Sequence, residues 1–195
     1  MKTIVRILLL LSCFTTLKAY AQDTTKYLKP VQVKLNLDFL GASVSYEQRV
    51  SNSNTLYLDA GIGYGFTYQS TYFDDANNTY YQYQVRPAIT AEFRHYYHFK
   101  ERLAKSRSIA NNGSNFFAMN VDYIFKPSSS TTDLDKSAVV SIMPSWGIQR
   151  ALGNSFSFEL QLGVQFSYEL TRYTPNSTQW TVGPGTVIRI GYVLH

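Results

Sequence analysis

Residues 56–66 read LYLDAGIGYGF. Three glycines, Gly61, Gly63 and Gly65, stand at every second position, a spacing that invites comparison with a phosphate-binding loop. A dinucleotide fingerprint, however, needs a strand before its glycines and a helix after them. Here the flanks continue one pattern instead. Leu56, Leu58, Ala60, Ile62, Tyr64, Phe66 and Tyr68 alternate with Tyr57, Asp59, Gly61, Gly63, Gly65 and Thr67. Alternation with period two is the mark of a strand with one apolar face. The glycines therefore belong to a strand, on its small or polar face, where they leave room for long side chains from other strands.

The same alternation recurs at 31–39, 43–49, 83–94, 117–123, 140–149, 156–168 and 181–194, making eight candidate strands. Several run about 10 residues or longer. About 9–11 tilted residues cross a bilayer, whereas strands of soluble proteins average about 5–6. Length and alternation together predict an all-β chain, a single eight-stranded antiparallel up-and-down transmembrane β-barrel. Closure removes sheet edges and satisfies the backbone in lipid. Residues 51–54 and 152–155 read as tight turns; 69–82, 126–137 and 171–178 read as longer polar loops. Such a barrel keeps short turns on the periplasmic side and long loops outside. One long stretch, 100–115, falls on the turn side, and its KERLAKSRSIA predicts a short helix. Pro87, Pro144 and Pro184 fall within strands and predict bulges or the outer rim, because proline cannot donate to a ladder.

The first 21 residues read as a signal peptide: a basic start at Lys2 and Arg6, a short apolar run, and Ala19-Tyr20-Ala21 before Gln22. Residues 22–30 form a short polar lead-in, and 31–195 the barrel. Cleavage would remove Cys13, the one cysteine, so no disulfide is expected. It would also remove Lys2, Arg6 and Lys18, leaving 15 basic against 13 acidic residues, which gives nucleic acid no electrostatic footing. Sixteen Tyr, twelve Phe and two Trp, with no later apolar stretch free of charges or amides, direct the reading to strands in an outer membrane rather than a spanning helix.

The span 91–117, AEFRHYYHFKERLAKSRSIANNGSNFF, resembles a recurring segment of small outer-membrane barrels of Bacteroidota, of OmpA/OmpX-like eight-stranded architecture. The matching residues are Arg94, Tyr96, Tyr97, Lys100, Arg102, Lys105, Asn112, Ser114 and Asn115. The tail VIRIGYVLH is similar to the terminal strand such barrels present to their assembly machinery, though it ends in His195 rather than an aromatic. The resemblance implies outer-membrane lipid and that machinery as partners.

With apolar faces outward, the lumen receives Lys34, Asp38, Glu47, Arg49, Asp59, Arg86, Glu92, Arg94, Asp122, Glu159 and Arg189. Six acids and five bases in a narrow interior must pair, because an unpaired buried charge is costly. The pairs are expected between Glu47, Glu92 or Glu159 and Arg49, Arg94 or Arg189. Tyr72, Phe73, Tyr80, Tyr81, Tyr83, Tyr173 and Trp180 gather near the external loops, as an interfacial girdle or a contact surface for a surface polymer or protein ligand. Lys100, Arg102, Lys105 and Arg107 form a basic periplasmic turn. No enzyme is expected: His95, His98 and His195 lie away from the loops, and Asp74-Asp75 lack the spacing of an EF-hand. No cofactor or metal is called for. The function so read is structural or surface-interacting, with a charged, plugged lumen. The alternative is a narrow pore for ions or small solutes; behind it stand a soluble lipocalin-like binder and an outer-membrane enzyme.

Overall fold

The computed structural model describes residues 27–71, 78–127, 129–130, 137–170 and 179–194. Among them are strands β1 (Val31–Asp38), β2 (Gly41–Arg49), β3 (Asn54–Thr71), β4 (Asn78–Tyr97), β5 (Asn115–Ile124), β6 (Ser129–Ser130), β7 (Val139–Leu152), β8 (Phe156–Glu169) and β9 (Trp180–Leu194). The predicted short helix is α1 (Phe99–Ala104), followed by a 3-10 turn at Ala110–Asn112. Eight strands pair antiparallel in sequence order, and β9 returns to β1, so the sheet closes into an eight-stranded barrel. The two-residue β6 adds only to β4, against Gln84 and Val85.

The alternation decides which face is which, and the burial is inverted relative to a water-soluble domain. Leu37 is 66% exposed and Phe117 56%, while Lys34 is 2% exposed and Arg94 0%. Among the described side chains at outward strand positions, Arg150 is the single Asp, Glu, Lys or Arg. Everything else there is apolar, aromatic or uncharged. Aromatic pairs mark both ends of this wall. Phe156 meets Tyr192 at 5.2 Å and Tyr97 stacks on Phe117 at 5.2 Å near the turns; Tyr168 meets Trp180 at 4.9 Å and Tyr123 meets Phe125 at 4.8 Å toward the loops.

The wall is not equally tall all round. β1 and β2 have 8 and 9 residues and are joined at Phe39-Leu40, whereas β3 has 18 and β4 has 20. β9 pairs with β1 only from Arg189 to Leu194, and β2 meets β3 only up to Gly63. Above the Phe39-Leu40 tip the wall therefore has a notch, with β9 and β3 as its sides.

The prolines follow from this geometry, and the predicted bulges are absent: residue pairing keeps one register through all three positions. Ile188 accepts the Phe39 N–H on the β1 side. Successive N–H groups alternate sides, so Pro184 faces that same side, where β1 has already ended. Its missing donor lies on the free edge that proline tolerates. Pro87 faces Phe125, one residue past the end of β5, and its carbonyl accepts the Phe125 N–H. At Pro144, mid-wall, bridging to β8 lapses after Ile142↔Phe166 and resumes at Ser145↔Gly163.

Of the opening glycines, Gly61 is the tight one. A Cβ there would stand 2.5 Å from the Ala42 carbonyl oxygen and 2.5 Å from the Ser43 Cβ, whereas one at Gly63 meets nothing closer than 3.6 Å. Gly61→Ala is expected to cost about 1–3 kcal/mol by overpacking, with Gly63→Ala near neutral. Urea midpoints of the two variants check this; equal midpoints would remove the packing role assigned to Gly61.

The turn end is closed by chain outside the staves. Leu28 packs with Tyr96, Phe99 and Phe116, all buried, and Tyr27 stacks on Phe99 at 5.7 Å, so the lead-in read as polar carries two anchoring residues. Lys29 donates from its backbone to Asn112 Oδ1 at 2.8 Å and from Nζ to Asn111 Oδ1 at 2.9 Å. Asn111 in turn donates to the Asn154 carbonyl at 3.0 Å. Both asparagines hold positive φ, 51° and 58°, a conformation this residue type tolerates.

Candidate functional site in the barrel interior

The inward positions of β1, β2, β4, β8 and β9 bring three cations and three carboxylates to one level: Lys34, Arg94 and Arg189 with Glu47, Glu92 and Glu159. Arg94 is the hub. It binds Glu92 at 2.5 Å and takes Glu159 with both terminal nitrogens, at 2.9 and 3.0 Å. Its guanidinium lies 3.7 Å from the centre of the Tyr57 ring and 4.8 Å from that of Phe116. Arg189 reaches Glu159 at 3.2 Å, Glu92 at 3.6 Å and Asp38 at 3.1 Å, and donates to the Tyr57 hydroxyl at 2.6 Å. Lys34 pairs with Glu47 at 3.4 Å; Thr55 and Tyr96 donate to the other Glu47 oxygen.

Amides bind the ions into one network. Gln161 donates to Glu159 at 2.8 Å and Glu92 at 3.2 Å, and its oxygen accepts from Ser145 and Asn120. Gln149 accepts from Arg94 and donates to the Asn111 carbonyl, tying the ionic layer to the closed turn end. These groups are buried, so charge neutrality within the layer is what makes it tolerable.

The remaining lumen candidates lie outside this layer, and the expected ion pairing needs correction at Arg49, Asp59 and Asp122. Arg49 donates to the Leu28 carbonyl at 2.8 Å, holding the lead-in instead of a carboxylate. Asp59 accepts from Ser43 at 2.8 Å and Asn36 at 3.2 Å; Asp122 accepts from Thr90 at 2.7 Å and Ser141 at 2.9 Å. Arg86 donates to the Ser137 carbonyl at 3.2 Å. Asp38, Asp59, Arg86 and Asp122 stand toward the loop end, where Asp38, paired with Arg189, is 26% exposed; Arg49 stands at the turn end.

The loop aromatics divide. Tyr72, Phe73 and Tyr173 lie outside the described residues, as do Asp74, Asp75 and His195. Tyr80, Tyr81 and Tyr83 are in β4, opposite Gln69, Tyr68 and Phe66. Trp180 is exposed beside Tyr168. His95 shares a hydrogen bond with Asn54 at 2.7 Å, and His98 sits 3.7 Å from Glu101. In the basic turn, Lys100 and Arg102 are on α1, and Lys105 and Arg107 just beyond it. A polar hollow of about 90 Å³ there gathers Arg102, Lys105 and Arg107 with Arg150 and Asn115. Sequence reading named Asn115 only as part of the 91–117 segment and left out Arg150, which comes from β7, 43 residues after Arg107; only the closed register brings it alongside. On the outer wall a groove of about 590 Å³ runs past Val33, Val44, Leu58, Ile89 and Val121.

No protein-family model, curated protein or solved structure matches the chain.

Proposed function

We propose that the chain is an integral outer-membrane barrel of structural or surface-interacting type, exported by a signal peptide, with its lumen closed by the ionic layer. The resemblance of 91–117 to small barrels of Bacteroidota is in keeping with this. One observation carries the reading: among the described side chains the wall is apolar or uncharged outward between two aromatic levels, with Arg150 at its turn-end border as the single charge. Tyr168 follows Phe156 in β8 by twelve residue steps. At about 3.3 Å per residue and a tilt near 45°, that spans about 28 Å, against a lipid-facing band of about 25 Å. Aromatic side chains collect at such interfaces because one end of the ring system is apolar and the other wet.

The closed lumen rests on Arg94, Tyr57, Gln149 and Gln161, which are fully buried across the interior. No catalytic role is assigned, since the interior carboxylates are engaged in the ionic layer or in hydrogen bonds. External loops remain the place for a polymer or protein partner, and the assembly machinery the partner for folding.

The test is fractionation of cells making the full chain. Retention in the membrane after carbonate washing, with faster gel mobility before heating than after, is expected. Release by carbonate, or purification without detergent, overturns the membrane reading. In planar bilayers the protein is expected to be silent; discrete conductance steps would favour the pore.

A further inference from the structure

The hollow at the turn end differs in character from the interior layer. Four cationic side chains, Arg102, Lys105, Arg107 and Arg150, line it. Its one carboxylate, Glu101, lies 3.7 Å from His98. The cations are thus left without carboxylate partners at ion-pair distance among the described residues. Arg102 donates one terminal nitrogen to the Ser108 carbonyl at 2.7 Å, and its Nε is buried with no partner. Arg150 donates to Asn115 Oδ1 at 2.6 Å and to the Gln149 carbonyl, which fixes its fork at the mouth. Burial and then the nearby Arg107 charge hold Arg102 below the ordinary arginine value.

Position adds what charge alone would not. Arg150 and Asn115 are outward residues of β7 and β5. Asn115 pairs with Tyr97 of β4, and two residues further on Phe117 stacks on the Tyr97 ring. Trp146, one turn of the pleat above Ile148, donates its indole N–H to the Tyr97 hydroxyl. The hollow therefore opens at the aromatic border of the apolar wall, on its outside. At that level a bilayer presents phosphates, and a guanidinium fork matches phosphate oxygens with two parallel hydrogen bonds.

We infer that this hollow is a binding site for the phosphate of an anionic lipid headgroup, with Arg102 and Arg150 as the gripping pair and Lys105 and Arg107 as the surrounding positive field. The inference rests on the membrane reading above. The acyl chains lie along the wall past Phe117 and Trp146, so the lipid is held at both ends. A free phosphate would share the headgroup contacts but not the wall.

Native mass spectrometry of the full chain, released from detergent, tests this with dimyristoylphosphatidylglycerol, dimyristoylphosphatidylcholine and inorganic phosphate as separate probes. One phosphatidylglycerol is expected to be retained at least about tenfold more tightly than phosphatidylcholine, and inorganic phosphate only weakly. Arg102→Gln/Arg150→Gln should remove most of that preference and leave phosphatidylcholine binding unchanged. Lys105→Gln/Arg107→Gln, both at exposed positions, should lower it by a smaller factor and serves if the first pair does not fold. Equal retention of the two lipids by the wild-type chain overturns the site. Inorganic phosphate held as tightly as phosphatidylglycerol overturns the lipid as its source. A protein that needs no detergent fails the membrane reading instead, and does so before any lipid is added.

Discussion

Arg94→Ala should lower folding stability by about 3–5 kcal/mol, the cost of breaking a buried ion pair and leaving charge behind. Two carboxylates lose their main counter-ion at once, because Arg94 binds both Glu92 and Glu159. Arg189 still reaches both, at 3.6 and 3.2 Å, and shares one positive charge between two negative ones. The Tyr57 and Phe116 faces lose the cation packed on them. Arg49→Ala makes the comparison, since that arginine holds a single carbonyl and should cost about 1–3 kcal/mol. Glu159→Gln combined with Arg94→Ala should recover part of the loss, with a coupling of about 0.5–3 kcal/mol. Urea titration read by gel mobility before and after heating measures these proteins together with Glu159→Gln alone, which the coupling requires. Arg94→Ala and Arg49→Ala unfolding at one midpoint would show that the layer does not hold the barrel together.

The contrast between those two arginines also shows what the sequence could tell. Period-two alternation places both inside, and it does so correctly for every strand, because the pleat admits no third direction. It says nothing of height. Arg94 lies at the level of Glu159, 65 residues away, only because eight registers close on one another. Arg49 sits nearer the turn, beside Leu28. Pair assignment needs that second coordinate, and so does the recruitment of Arg150 into the basic hollow.

The notch escaped for a different reason. The break between 31–39 and 43–49 is readable, and Phe39-Leu40 stands between Asp38 and Gly41 as a turn would; what alternation does not give is how far β3 and β9 rise past that tip. Both residues are exposed at the tip, which suits a hairpin ending in an apolar medium. Pro184 looked like a fault in a central strand. With β1 cut short it is an edge residue, and the free edge of β9 is blunted where its N–H would have been offered. The 91–117 motif was legible as a segment but not as a device. Arg94 and Tyr96 serve the interior, Asn112 and Ser114 lock the turn end, and Arg102, Lys105 and Asn115 face outward into the hollow.

Leu162→Arg puts the membrane reading at greatest risk. Leu162 is half-exposed on the outer wall of β8 and lies six residues from Phe156 and six from Tyr168, midway between the aromatic levels. Its cross-strand neighbours are Trp146 and Thr186. In water an exposed leucine exchanged for arginine changes stability by no more than about 0.5 kcal/mol. In lipid the same exchange at mid-depth costs about 2–4 kcal/mol, falling to about 0–1 near the border. Leu152→Arg supplies that border: it is also half-exposed and outward, but at the last residue of β7. Both variants would be folded into dimyristoylphosphatidylcholine vesicles and titrated with urea. Leu162→Arg is expected to lose at least about 1 kcal/mol more than Leu152→Arg, a depth dependence that an aqueous surface has no means to produce. If the two variants match the wild-type midpoint and Leu162→Arg is the more soluble without detergent, the wall does not face lipid, and the closed interior belongs to a soluble barrel.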